Sequence, residues 1–315
     1  MDIVLVIFPV FAIAVVGYLV TWAEIFRLDD IGGLTRYVFN IALPIMLFDS
    51  MSKVSLPETI RWSFMLAYYV PTLIVFFVGA RLGKRLFRYG RTEQGIYGMG
   101  CAYSNTVLIG LPIVSTAWGD TAVLPLMMII AVHSAILFSL TTAVAESGQH
   151  GGDRRSRTKG EIVLRTVAGM VKNPIFGGLV LGLLFNATAL SIPDPLQTVL
   201  SWLRGSALPA ALFVTGASLR RFRVMGQVGP AGVMLLMKLL VHPFLVWFAA
   251  TLLFDLPPLW KGVAVITASL PTGINATVFA GKYDAAMAPV ATTTLLSTAV
   301  SVITLSVLLI RLMPV

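Results

Sequence analysis

The sequence predicts an all-α polytopic membrane protein of ten transmembrane helices, arranged as two inverted five-helix repeats with crossed, broken helices. Three observations predict it. Of the 315 residues, 57% are apolar and only 12% charged, with a mean hydropathy of +0.88. A soluble domain carries about twice that share of charge, and its core could not hide so much apolar surface. Apolar runs of membrane-spanning length also cover nearly the whole chain, and short motifs recur between its two halves at a nearly constant offset.

A spanning helix needs about 20 mostly apolar residues. Runs of that kind fall at 3–21, 33–50, 62–82, 94–116, 120–144, 166–188, 198–219, 228–254, 260–280 and 285–312. Trp22, Trp62, Trp118, Trp202 and Trp260 sit near segment ends, where interfacial anchoring places tryptophan. The loops that follow the odd-numbered segments hold 16 of the 23 Lys and Arg residues, whereas the opposite side holds 5. The positive-inside rule makes the first set cytoplasmic. An even number of spans then leaves both termini on the periplasmic side of a bacterial inner membrane. The start Met1-Asp2 runs into apolar sequence without a basic leader, so the first segment is expected to be retained.

The net charge of +9 lies in short loops between apolar runs, which suits anionic lipid headgroups and argues against nucleic acid as a partner. Cys101 is the only cysteine, which excludes an intrachain disulfide and a site of several cysteine ligands; no metal is expected. The only long polar stretch, 146–161, contains Gly148, Gly151 and Gly152 and reads as a flexible cytoplasmic linker. It separates a first repeat at 1–145 from a second at 162–315.

The repeat is visible in two places. Ala42-Leu43-Pro44-Ile45-Met46-Leu47-Phe48 matches Ala207-Leu208-Pro209-Ala210-Ala211-Leu212-Phe213 at an offset of 165. Asp120-x-Ala122-x-x-Pro125 matches Asp284-x-Ala286-x-x-Pro289 at an offset of 164. With five helices in each half, the second copy must be inserted upside down. Inverted repeats of this kind are a common plan of secondary transporters, whose substrate site lies near the midplane between the repeats.

Segments four and nine are predicted to be broken. The first carries Tyr103-Ser104-Asn105-Thr106 and then Gly110-Leu111-Pro112, and the second carries Ser269-Leu270-Pro271-Thr272-Gly273-Ile274-Asn275-Ala276-Thr277. Proline removes a backbone donor. The groups it frees survive at membrane depth only where they line protein or water. Half-helix N-termini there attract a carboxylate, with Ser104, Asn105, Asn275 and Thr277 as hydrogen-bonding partners. A plain kink packed with small residues is the simpler alternative.

Lys238 lies near the middle of segment eight, with His242 one turn later and Pro243 after it. An ionisable group at that depth is a functional-site candidate. Lys238 reads as a counter-charge for an anionic substrate or a proton-exchanging group, and alternatively as the partner of a broken-helix carbonyl. His133 reads as a satisfied structural histidine. Asp49 reads either as a coupling group at the outer entrance or as an exposed helix-end carboxylate. No phosphate-binding loop, zinc-type His-Glu-x-x-His or Gly-x-Ser-x-Gly elbow is present, so an enzyme is not expected.

Several of these features together resemble the auxin efflux carrier family in its bacterial, malonate-transporter-like form. They are Asn40-Ile41-Ala42-Leu43-Pro44, Ser104-Asn105-Thr106 with Gly110-Leu111-Pro112, Asn173-Pro174, Gly216-Ala217-Ser218-Leu219, Lys238 with His242-Pro243, and Pro271 with Asn275. The resemblance implies a fold similar to sodium/proton antiporters and bile acid symporters, with segments four and nine crossing at Pro112 and Pro271. It also implies that segments one, two, six and seven form a scaffold and homodimer contact, and that transport is elevator-like.

The expected function is secondary transport of a small organic anion, a carboxylate such as malonate or malate. The alternatives are an auxin-like aromatic acid as substrate, or a ligand sensor with a carrier-like fold. The candidate substrate-binding residues are Ser104, Asn105, Thr106, Pro112, Pro271, Asn275, Thr277 and Lys238. The coupling candidates are Lys238, His242 and Asp49, with a proton or sodium as the coupling ion and no other cofactor.

Overall fold

The computed structural model describes residues 3–27, 29–53, 61–148, 174–188, 190–221 and 227–312. Most of the expected linker 146–161 and the start of segment six, including Lys172 and Asn173, lie outside the described residues. The described chain is helical, apart from an isolated antiparallel bridge between Ser104 and Thr272. In chain order the helices are α1 (Ile3–Trp22), α2 (Ile31–Ser52), α3 (Trp62–Phe87), α4 (Arg91–Ala102), α5 (Leu111–Trp118), α6 (Val123–Glu146) and α7 (Pro174–Ala187). They continue with α8 (Asp194–Leu219), α9 (Val228–Leu253), α10 (Pro258–Ser269), α11 (Ile274–Tyr283) and α12 (Met287–Leu312).

Among the described residues six stretches are long and apolar enough to cross a membrane: α2, α3, Thr106–Glu146, α8, α9 and α12. Phe8–Trp22 and Pro174–Ala187 are shorter apolar helices. The protein is therefore a multi-pass membrane protein. Trp22, Trp62 and Trp202 are exposed at or near helix ends, as interfacial anchors require.

Three helices share one device for accommodating proline. A π-turn at Val38–Ala42 precedes Pro44, one at Thr106–Gly110 precedes Pro112, and one at Met237–Val241 precedes Pro243. In each case the proline becomes the second residue of a fresh α-helical run, where its missing N–H has no partner to lose. The wider turn absorbs the register shift that proline would otherwise impose on the ladder.

The chain divides into two compact units, each drawing on both halves of the sequence. The first takes Met1–Ile60, Val107–Met127 and Leu164–Arg221, and the second takes Arg61–Thr106, Met128–Val163 and Phe222–Val315. The first unit thus gathers the helices of segments one, two, six and seven, which the resemblance groups together. It also holds α5 and the first turn of α6, which the sequence did not assign to it.

Within the first unit, glycines set the helix spacing. A Cβ on Gly216 of α8 would meet the Ala14 carbonyl of α1, and one on Gly17 would come 2.3 Å from the Phe213 carbonyl. Gly178 and Gly182, one turn apart on α7, abut the Pro44 and Phe48 carbonyls of α2 in the same way. Lipid offers no hydrophobic drive for helix association, so close backbone approach through small residues does that work. In the second unit, Gly79 of α3 and Gly98 of α4 bring those helices together against Cys101 and the Phe76 carbonyl.

Candidate substrate site

The second unit contains the feature that segments four and nine predicted. Helix α4 stops at Ala102 and α10 at Ser269, and the residues that follow, Tyr103 and Leu270, are extended. The two extended stretches run antiparallel. Asn105 N–H donates to the Pro271 carbonyl at 3.0 Å, and Gly273 N–H donates to the Tyr103 carbonyl at 3.0 Å. These bonds flank the Ser104–Thr272 bridge. Each break therefore satisfies the other, which is what a backbone freed of helix needs in a bilayer.

Side chains satisfy what the bridge leaves over. Ser104 N–H donates to His133 Nε2 at 3.2 Å, and Thr272 N–H donates to Ser297 Oγ at 3.1 Å. Thr272 Oγ1 donates to the Gly100 carbonyl in the last turn of α4 at 3.0 Å. Lys238 Nζ donates to the Ala268 carbonyl in the last turn of α10 at 2.5 Å. A cation at a helix C-terminus also meets the negative end of the helix dipole.

Lys238 and His242 of α9 are both fully buried. Thr72 Oγ1 donates its single proton to the Tyr68 carbonyl at 2.7 Å and lies 2.9 Å from His242 Nε2. With that proton committed, Nε2 must be the donor, so His242 Nδ1 is an acceptor. Lys238 Nζ faces Nδ1 at 3.4 Å. Two ammonium protons are thus placed, on a carbonyl and an imidazole. The buried polar residues of this unit include no Asp or Glu among the described residues, and no ion pair to Lys238 is found among them.

The two asparagines differ. Asn275 Nδ2 donates to Tyr103 Oη at 2.9 Å, and Tyr103 Oη is 2.8 Å from Ser134 Oγ. Asn105 is 8% exposed, and its carboxamide makes no hydrogen bond with the described residues. Thr106 is buried beside it. Thr277 Oγ1 is 3.2 Å from Thr294 Oγ1 of α12. Gly273 caps the start of α11, so that helix begins beside the bridge.

Two expectations are corrected. The crossing is centred on Ser104 and Thr272; Pro271 takes part in it through its carbonyl, but Pro112 does not. Pro112 is the second residue of α5 in the first unit, because the π-turn at Thr106–Gly110 lets the helix run past the break before the proline is reached. There it lines a cleft of about 440 Å³ together with Pro9, Met46, Ser115, Asp120 and Arg204.

Asp49 is not an exposed helix-end carboxylate. It is 2% exposed and lies in the first unit, held by Lys53 Nζ at 2.6 Å, Gln197 Nε2 at 2.9 Å and Arg204 Nη1 at 2.6 Å. Arg204 also grips Asp120 with Nη2 at 2.6 and 2.8 Å. In the sequence Asp120 stands out only as part of the repeat motif, and nothing there points to Arg204 as its partner.

Sequence reasoning also passed over Tyr68, Thr72 and Tyr103, since aromatics and threonines in apolar helices read as packing. The available signal was their pitch: Tyr68 and Thr72 stand one turn apart on a helix, as Lys238 and His242 do. His133 was read as satisfied, and its Nε2 is; its Nδ1 has no hydrogen-bond partner among the described residues.

Comparison with known proteins follows the same direction. A family model described as "Membrane transport protein" matches residues 2–309. A protein of Rhizobium meliloti (strain 1021) named "Putative malonate transporter" is 28% identical over 304 residues, covering 96% of this chain and 93% of that protein. The mouse (Mus musculus) protein named "Lysosomal cholesterol signaling protein" is 25% identical over 218 residues, 66% of this chain but 25% of the mouse protein.

Proposed function

The chain belongs to the membrane transport protein family, that of the auxin efflux carriers, and from that premise we propose that it is a secondary carrier of a small organic anion. The observation that carries the reading is Lys238, a fully buried amine with no carboxylate partner among the described residues. Burying an ion without its counter-charge costs several kcal/mol. In a membrane helix such a group marks a functional site by default. A carboxylate bound at the crossing supplies the missing charge. The Asn105 carboxamide and the amides that open α11 supply hydrogen-bond donors to it.

The substrate class is a small dicarboxylate of malonate or malate size. The name of the Rhizobium relative supports malonate, and the small polar side chains at the bridge suit a compact anion better than an aromatic one. The chain acts as ten transmembrane helices in two inverted repeats, 1–145 and 162–315. The motif pairs at offsets of 165 and 164 support this arrangement. It works as a homodimer in the inner membrane by elevator-like alternating access, with both termini periplasmic. A proton or sodium gradient drives it, with Lys238 and His242 as the coupling candidates. The ligand-sensor alternative draws its support from the name of the mouse relative.

Uptake of radiolabelled malonate, malate and indole-acetate into proteoliposomes, under an imposed proton gradient, sodium gradient or potential, tests the reading. Saturable flux of one dicarboxylate, lost in Lys238→Gln, is expected. Absence of flux for every anion under every gradient overturns it.

A further inference from the structure

The exposed face of α3 changes character along one line. Leu66, Val70, Ile74, Phe77 and Val78 are exposed apolar residues at the three- and four-residue spacing that keeps side chains on one side of a helix. Arg81, Lys84 and Arg85 continue that line and are exposed too, and the exposed Arg88 follows at the C-cap. Trp62 and Arg81 are 19 positions apart (81 − 62), which is about 28 Å of helix. The hydrocarbon core of a bilayer is about 30 Å thick, so an exposed Trp62 at one interface puts Arg81 at the other.

The turn that carries these cations is fixed. Arg88 is left-handed (φ 59°), and its N–H and that of Tyr89 close the helix on the Gly83 carbonyl. The Tyr97 ring packs on both Phe87 and Tyr89, and Tyr89 Oη donates to Gln227 Oε1 at 3.1 Å. That side of the turn is taken up by packing, which leaves the cations on the outer side.

No acid answers the four charges. Glu93 is the only Asp or Glu between Arg61 and Gly119, and its Oε2 accepts from the Gly90 N–H at 2.6 Å. No ion pair among the described residues involves Arg81, Lys84, Arg85 or Arg88. Like charges three and four residues apart on a helix repel each other. The partial negative charge at the helix carboxyl end, about half a unit, offsets only a fraction of four. The positive-inside rule asks for cations at this depth, but not for a row continuous with an apolar stripe.

We propose that the carboxyl end of α3 binds the headgroup of an anionic phospholipid, whose acyl chains lie along Phe77, Ile74 and Val70. The phosphate oxygens accept from the guanidinium and ammonium groups. The stripe beside them supplies apolar contact that a free phosphate would not use. Such attachment is independent of which anion the chain carries.

The test is retention of phosphatidylglycerol by the purified full chain, read by native mass spectrometry, with phosphatidylcholine as the reference lipid of no net charge. The variant is Lys84→Gln/Arg85→Gln/Arg88→Gln. The control, Arg27→Gln/Arg36→Gln/Lys282→Gln, removes as many charges from exposed positions elsewhere. One cation near anionic headgroups is worth about a fivefold change, so three predict roughly a hundredfold weaker retention of phosphatidylglycerol, with phosphatidylcholine unchanged. The control should behave like wild type, and wild-type retention should fall as salt rises. If the triple variant does not insert, Arg85→Gln and Arg88→Gln singly carry the test, each with a loss of about fivefold. Equal retention of the two lipids by wild type overturns the site, as does wild-type retention in the variant or an equal loss in the control. Release of phosphatidylglycerol by millimolar inorganic phosphate alone marks a free-anion site and overturns the lipid assignment.

Discussion

Lys238 Nζ lies 2.5 Å from the Ala268 carbonyl, so one buried amine both caps the last turn of α10 and stands without a carboxylate partner among the described residues. The two roles separate by substitution. Lys238→Gln keeps a donor for Ala268 and removes the charge, whereas Lys238→Met removes both. We expect Lys238→Gln to abolish saturable anion uptake with a Tm within a few degrees of wild type. Lys238→Met also takes the donor from the Ala268 carbonyl, so it should lower Tm more than Lys238→Gln does. Uptake by Lys238→Gln at the wild-type rate would leave the lysine with its helix-end role alone.

Asn105 and Asn275 should respond differently although both flank the bridge. The Asn105 carboxamide makes no hydrogen bond with the described residues, so Asn105→Ala should lower uptake severalfold with little change in Tm. Asn275→Ala strands Tyr103 Oη on one side and should cost about 1 kcal/mol of stability in addition. Paired uptake and thermal-unfolding measurements on both variants check this. Equal effects of the two would mean that Asn105 acts through the fold.

Arg204 joins the buried Asp49 to the exposed Asp120 in the first unit. Arg204→Gln leaves Asp49 with Lys53 and Gln197 only, and should destabilise by roughly 1–3 kcal/mol, the range for a charged hydrogen bond lost from a buried acceptor. Asp49→Asn should relieve part of that loss in the double variant, giving a coupling of roughly 1 kcal/mol in a double-mutant cycle. Additive single effects would show that the pair does not interact measurably.

Gly216→Ala is predicted to be the most disruptive small substitution in the first unit, because its Cβ would fall on the Ala14 backbone, which cannot rotate away. Forcing α1 and α8 apart should cost about 1–3 kcal/mol or more. Gly205→Ala, on the same helix with nothing within 4 Å of its Cβ, should be neutral or slightly stabilising. Tm values of the two purified variants decide the matter.

The sequence made the helical runs and both breaks legible, because proline and glycine at membrane depth have few physical explanations. It also put Lys238 one turn from His242 and named a broken-helix carbonyl among the candidate partners. What it could not supply was pairing across the chain. That Asn105 meets Pro271, or that Asp49 meets Arg204, depends on which distant segments come together. Pro112 was misplaced for a local reason: a π-turn is invisible in composition, and it moved the proline out of the break. Tyr68 is not singled out because an aromatic in an apolar helix reads as packing, and that one ring nitrogen of His133 has no partner among the described residues cannot be read from residue order.

The bridge at Ser104 and Thr272 has a consequence for how the protein is made. Its two strands are 168 positions apart (272 − 104), so the first break emerges from the ribosome long before its partner exists. At about 5–20 residues per second, the exposed backbone of residues 103–105 waits roughly ten to thirty seconds for residues 271–273. Lipid cannot satisfy it in that interval. The amino-terminal helices must therefore linger in a hydrated or chaperoned setting at the insertion machinery, and release into the bilayer is tied to completion of the second half.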